Sequence, residues 1–70
     1  MELKDVLKNR REVLSITQQD LAEMAQLGVA TIKDIERGKG NPSLSTLYKI
    51  LKVLGLEIEY KIKSPDSFTS

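Results

Sequence analysis

The run TQQDLAEMAQLGVATIKDIERG, residues 17–38, decides the fold. Thr17-Gln18-Gln19-Asp20 reads as a helix cap. The Thr17 hydroxyl can accept from the free amide three residues on, and the Asp20 charge suits the positive end of the helix. The helix it opens turns Leu21, Ala22 and Ala25 toward a core and ends near Gln26. Only Gln26 and Leu27 then separate it from Gly28, which can serve as the next N-cap. A further helix, about Val29 to Arg37, holds Ile32 and Ile35 inward. Gly38 and Gly40 stop it, because glycine accepts the left-handed conformation that closes a helix. Two short helices joined by a very tight turn are the outcome.

Outward from this pair, residues 2–14 place Leu3, Val6, Leu7, Arg10 or Arg11, and Leu14 at steps of three and four, an amphipathic first helix. On the other side Asn41-Pro42 is a turn. Ser43 caps a fourth helix from Leu44 to Leu54, and Gly55 ends it. Leu44, Leu47, Ile50, Leu51 and Leu54 form one apolar face, which Tyr48 and Val53 widen until the helix requires cover on two sides. After Gly55 the period changes to that of a strand: Leu56, Ile58, Tyr60 and Ile62 alternate with Glu57, Glu59, Lys61 and Lys63. A lone strand cannot satisfy its own backbone, and a helical protein offers it no sheet. It therefore requires a strand from another chain, by homodimerisation or by addition to a partner, and the homodimer is the favoured reading. The expected fold is mostly α: four compact helices over residues 1–55, one C-terminal β-strand over 56–63 pairing across a homodimer, and a loose polar tail over 64–70.

Composition narrows the chemistry. The chain has 70 residues, Lys plus Arg 11 against Asp plus Glu 10, no Cys and no His. One domain fits this length, burying roughly 60% of its unfolded surface. Without Cys or His there is no thiolate nucleophile, no ordinary general base and no credible zinc or haem site. No Asp-x-Asp-x-Asp loop is present to hold calcium. The expectation is a non-enzyme with no cofactor and no metal. No apolar run approaches the roughly 20 residues of a membrane span, and the charged start Met1-Glu2-Leu3-Lys4-Asp5 is not a secretion signal, so a cytoplasmic location is expected. With a formal net charge of +1, any basic surface must come from the placement of charges rather than from their total.

Two short helices and a tight turn inside a compact helical domain form the geometry that lays the second helix into a DNA major groove. The residues add a resemblance. Thr17-Gln18-Gln19-Asp20-Leu21-Ala22, Ala30-Thr31-Ile32, Ile35-Glu36-Arg37-Gly38-Lys39 and Asn41-Pro42-Ser43-Leu44 are similar, in order and spacing over residues 3–55, to the XRE/Cro/phage-repressor helix-turn-helix family. The tail LEIEYKIK (residues 56–63) resembles the HipB-type antitoxins through its strand pattern. The chain departs from the family at three positions. Gln26 and Ser15 stand where family members more often have glycine, and Gly28 replaces the usual Ser or Thr cap of the recognition helix.

Resemblance and periodicity together assign the site. With Ile32 and Ile35 inward, Gly28, Val29, Ala30 and Lys33 are the base-reading candidates, and Arg37 shares their outward arc. Val29 and Ala30 can touch thymine methyls or serve as plain packing residues. Lys33, the one long donor in the middle of the face, suits guanine. Asp34 would repel phosphate and is read as an edge residue or an acceptor from cytosine. Gln18, Gln19, Thr31, Arg37, Lys39, Asn41 and Ser43 are the phosphate candidates, around helix starts whose positive ends suit an anion. Arg10 and Lys8 are weaker ones. Arg11 and Glu36 are assigned to structure, as an ion pair between the first and third helices. Leu56, Ile58, Tyr60 and Ile62 are assigned to the dimer.

The resemblance implies a sequence-specific repressor of double-stranded DNA, dimeric on an inverted-repeat operator. Its HipB-type version implies an autoregulating antitoxin that sequesters a HipA-like kinase toxin. A free-standing regulator without a toxin and an interaction module that has lost DNA reading are the alternatives. In an antiparallel pair of identical strands, facing residues have numbers of constant sum, and odd sums oppose apolar to polar faces. A sum of 118 or 122 centres like charges on each other. A sum of 120 pairs Glu57 with Lys63, Glu59 with Lys61 and Ile58 with Ile62, and sets Tyr60 on its mate.

Overall fold

A computed structural model describes residues 2–62. Four helices follow in order: α1 (Leu3–Val13), α2 (Gln18–Ala25), α3 (Val29–Glu36) and α4 (Leu44–Leu54). Every helix contributes to one core. Leu7 comes from α1, Leu21, Ala22 and Ala25 from α2, Ile32 and Ile35 from α3, and Ile50, Leu51 and Leu54 from α4. Two alanines on α2 let its backbone approach both α3 and α4, so α2 forms the centre of the bundle and α3 is held against it and against α1. The stripe expected on α1 is narrower than its spacing suggests. Leu7 is buried, but Leu3 and Leu14, near its ends, are exposed beyond the reach of the core.

The helix starts follow local chemistry. Thr17 and Asp20 form a reciprocal capping box: the Asp20 amide donates to Thr17 Oγ1 at 2.9 Å, and the Thr17 amide donates to Asp20 Oδ2 at 2.9 Å. The Thr17 amide, and after it the Thr17 hydroxyl, hold the Asp20 carboxyl below its ordinary value. Ser43 caps α4 by accepting from the Thr46 amide at 3.1 Å. Gly28 begins α3 in an extended conformation and has no side chain to cap it.

All four helices close on one pattern, a left-handed residue followed by a long-range amide bond. Ile16, Leu27, Lys39 and Leu56 donate back to the carbonyls of Arg11, Ala22, Asp34 and Leu51, five residues earlier. The left-handed residues just before these donors are Ser15, Gln26, Gly38 and Gly55, with φ of 57°, 60°, 75° and 70°. This is the Schellman closure, and the apolar residue that follows it folds back on the helix. Ile16, Leu27 and Leu56 do pack against the core. Glycine accepts positive φ without strain, whereas Ser15 and Gln26 carry a side chain there. Gly40, expected to help end α3, has φ of 80° in the loop beyond it.

Past Gly55 the chain doubles back along α4, bringing Tyr60 beside Tyr48, whose phenol is pushed above its ordinary value by the hydrogen bond with Tyr60. Leu56 and Ile58 pack on the core while Glu57 and Glu59 face solvent, the alternation expected of a strand. The described residues of this segment, 56–62, are not in a strand and form no ladder, so the expected C-terminal strand is not formed among the described residues. Tyr60 and Ile62 are 80% and 71% exposed, and Leu44 and Tyr48 on α4 are exposed too. Lys63 and the tail 64–70 lie outside the described residues. Among the described residues no helix is long and apolar enough to cross a membrane.

Candidate nucleic-acid interface

The surface of α3 follows from its two inward isoleucines. Ile32 and Ile35 point into the core, so the opposite side carries Ala30, Lys33 and Arg37, all exposed. Lys33 and Arg37 lie one turn apart in one row, with Ala30 and Asp34 in the row beside it. Val29 departs from its expected place. It is half-buried and packs against the core, so it borders the arc and does not stand on it. Gly28 is exposed at the tip, and a Cβ built there would meet nothing within 4 Å. The start of α3 is therefore open, with no side chain over its first-turn amides.

One flank of the arc is fixed by a buried network. Arg11 grips Glu36 through two hydrogen bonds, Nε to Oε2 at 2.8 Å and Nη2 to Oε1 at 3.0 Å. Its Nη1 donates to the Ile16 carbonyl at 2.9 Å, tying α1, α3 and the α1–α2 turn together. The Arg11 and Glu36 side chains are only 12% and 4% exposed. The hydrogen bonds to Glu36 hold the guanidinium more firmly protonated than usual, against the opposing effect of its burial. Gln18 joins the network, its Nε2 donating to Glu36 Oε1 at 3.2 Å. The sequence indicated Arg11–Glu36 but gave no sign of this third member. Gln18 thus has a partner inside the protein, although it begins α2 as expected. Gln19 is exposed and donates to Glu23 at 3.1 Å.

The other flank is the α3–α4 loop. Thr31, Asp34, Lys39, Gly40, Asn41 and Pro42 line a shallow groove there, bringing three of the phosphate candidates together. Ser43 stands apart in function, since its hydroxyl caps α4 and also donates to Thr46 Oγ1 at 3.0 Å. Arg10 is committed elsewhere: its Nε donates to the Leu54 carbonyl at 2.8 Å, closing the C-terminal end of α4. That bond engages the Nε of Arg10 and leaves its other guanidinium donors, while Lys8 is exposed on α1. On the arc itself Arg37 pairs with Asp34, an ion pair the sequence left unassigned; the two side chains are 61% and 49% exposed. Charge and shape agree on a convex helix face with two cations and an open N-terminus. Polar residues flank it on both sides, and among the described residues no cluster of His, Cys, Asp and Glu could hold a metal.

Comparison with known proteins matches residues 7–61 to the helix-turn-helix family. An HTH-type transcriptional regulator of Methanocaldococcus jannaschii is 42% identical over 57 residues, 81% of this chain and 86% of that protein. The immunity repressor protein of Bacillus phage phi105 is 42% identical over 52 residues, 74% of this chain but 36% of the repressor. Among solved structures, one described as MDT protein superposes with a TM-score of 0.78 at 31% identity, covering 89% of this chain and 87% of that one.

Proposed function

Because the chain belongs to the helix-turn-helix family, whose matched relatives are transcriptional regulators rather than enzymes, we propose that it is a sequence-specific repressor acting on double-stranded DNA in the cytoplasm. The observation that carries this reading is the free face of α3, where Ala30, Lys33 and Arg37 stand clear of the core along a helix whose N-terminus is open. Ala30 and Lys33 read bases from the major groove, with Val29 and Gly28 at the edge of the contact. Gln19, Thr31, Arg37, Lys39 and Asn41 meet phosphates on either side. Gln18 meets a phosphate through what its bond to Glu36 leaves free, and Ser43 through the start of α4. Titration of random and operator duplex at several salt concentrations tests this reading. Each neutralised phosphate contributes a log–log slope of about −0.9. A measurable slope supports the repressor, and no slope leaves an interaction module that has lost DNA reading.

Two residues divide the interface. Lys33→Ala is expected to cost about 1–3 kcal/mol at one base pair of each half-site and to relax preference there. Lys39→Ala weakens all sequences alike and flattens the salt slope. Uniform loss from Lys33→Ala across operator variants would remove it as a reader.

The protein acts as a homodimer. The support is the exposed apolar side chains of Leu44 and Tyr48 on α4 and of Tyr60 and Ile62 beyond it, with Tyr60 beside Tyr48, together with the alternation over 56–63. With Tyr60 facing its mate, Tyr60→Cys cross-links to itself on oxidation, because facing β-carbons lie about 4.5–5.5 Å apart. Glu59→Cys cross-links readily only when mixed with Lys61→Cys. Efficient self-cross-linking of Glu59→Cys with none from Tyr60→Cys moves the axis, and silence at all three sites removes the strand pair. The finer role, an antitoxin that represses its own operon and sequesters a HipA-like kinase toxin, rests on the pattern of that same segment. Co-purification with a kinase encoded next to it separates that role from a free-standing regulator.

A further inference from the structure

Between the end of α2 and the last turns of α4 lies a groove of about 480 Å³, lined by Met24, Ala25, Gln26, Lys49, Lys52 and Val53. None of these residues belongs to the duplex face or to the apolar side chains assigned to the dimer. Met24 is 59% exposed and, with the half-buried Val53 and the buried Ala25, makes an apolar floor. The exposed Lys49 and Lys52, three residues apart on α4, make a cationic rim. The lining holds no carboxylate, and among the described residues neither lysine has an ion-pair partner. An apolar cavity of about 150 Å³ takes a benzene ring, so this groove has room for an aromatic side chain and the backbone that carries it. The ligand it fits is a short extended segment with one carboxylate and one aromatic anchor.

The chain itself contains such a segment. Residues 64–70, Ser-Pro-Asp-Ser-Phe-Thr-Ser, lie outside the described residues and hold the chain's one phenylalanine, Phe68, two positions after Asp66. In extended backbone, residues two apart project to the same side, so a ring seated on Met24 and Val53 brings the carboxylate to the lysine rim. We propose that residues 64–70 occupy this groove on their own chain, with Phe68 on the floor and Asp66 against Lys49 and Lys52. Reach permits it. Tyr60 lies beside Tyr48, next in sequence to Lys49. The eight residues from Tyr60 to Phe68 span up to about 26 Å when extended, whereas Tyr48 to Val53 is about 8 Å along α4. That slack lets the chain reverse its direction before it docks. A tether this short supplies an effective concentration of millimolar order, so a contact too weak to hold a free peptide suffices to hold the segment. Exposed ion pairs add little by themselves; the ring is the anchor, and the charges choose its orientation. The inference rests on neither DNA binding nor dimerisation.

The chain has no tryptophan, so Phe68→Trp in the full chain gives a single fluorescent reporter that keeps an aromatic anchor. Its quenching by acrylamide, a neutral molecule indifferent to the lysines, is measured against the same variant with Met24→Asp and, separately, with Lys49→Glu and Lys52→Glu together. Thermal unfolding checks that each variant keeps its fold. The intact groove should reduce quenching about two- to three-fold relative to Met24→Asp, the ratio given by docking in roughly half to two-thirds of the molecules. Reversing the two lysine charges should raise quenching, and adding Asp66→Lys should lower it again. No response to charge reversal would overturn the pairing of Asp66 with the rim. Refolding the Met24→Asp variant together with an excess of wild-type chain, which has no indole of its own, should leave quenching unchanged. Recovered protection in that mixture would overturn the proposal and give the segment to a second copy's groove. Protection that survives Met24→Asp would overturn it by placing the ring elsewhere. Equal quenching in every variant would overturn it as well and leave the groove to an acidic segment of another protein.

Discussion

Helix α3 carries two Arg–carboxylate pairs that share chemistry and differ in surroundings. Glu36 faces inward, meets Arg11 in a two-pronged contact, and with it is nearly sealed from solvent. Asp34 faces outward and meets Arg37 in a contact that water reaches from most sides. Breaking the first leaves a charge in a place that cannot hydrate it, whereas breaking the second exchanges one solvated partner for another. The inner pair therefore belongs to the architecture. The outer pair is available to a ligand because it contributes so little to the fold.

The strongest way to break the comparison is Glu36→Ala. It strands Arg11 at the α1–α3 crossing and should cost about 3 kcal/mol, the low end for splitting a buried pair, because Arg11 keeps its bond to the Ile16 carbonyl. Thermal or urea unfolding measures it; an unchanged melting temperature with lost duplex binding would exchange the roles assigned to the two pairs. Gln18→Ala removes the third member of the inner network and should cost about 1.5 kcal/mol, the low end for one hydrogen bond to a charged group, because Glu36 keeps its other partner. If it weakens duplex binding without touching stability, Gln18 acts on phosphate alone.

Asp34→Asn should leave stability within about 0.5 kcal/mol of wild type, as exposed pairs generally do. A larger loss in the same unfolding measurement would make the outer pair structural as well. The smallest effect concerns acid. The Asp20 carboxyl, held below its ordinary value by the Thr17 amide and then by the Thr17 hydroxyl, adds stability that is complete above the usual carboxylate range. That stability is lost as pH falls through the lowered value. Asp20→Asn should accordingly flatten the acid limb of a stability-against-pH curve below about pH 4, leaving the curve above it parallel to wild type.

What the sequence reveals depends on whether the cause is local. Thr17 with Asp20, Ser43, Gly38 and Gly55 mark helix ends through their own chemistry, and the helices run where those residues place them. The spacing of Ile32 and Ile35 likewise orients α3. Ser15 and Gln26 occupy left-handed closures that no local preference indicates; only the family resemblance, with glycine more often at both positions, points to them. Val29 is harder still. Its place on the helix puts it at the margin of the arc, and only the packing of the core draws it inward. The partners of Gln18, Arg10 and Arg37 lie in the same class, since long polar side chains choose among acceptors that the fold brings within reach. The segment past Gly55 shows the reverse case: its alternation is plain in the sequence, but a strand requires a second chain.

Selection of binding sites from a random duplex pool tests the central claim, that the free face of α3 reads DNA as one half of a dimer. The account predicts enrichment of an inverted repeat whose half-sites lie about one helical turn, ~34 Å, apart. A guanine in each half-site should lose its preference in Lys33→Ala. Recovery of a pool no different from its starting composition, from protein that is folded and dimeric, would contradict it.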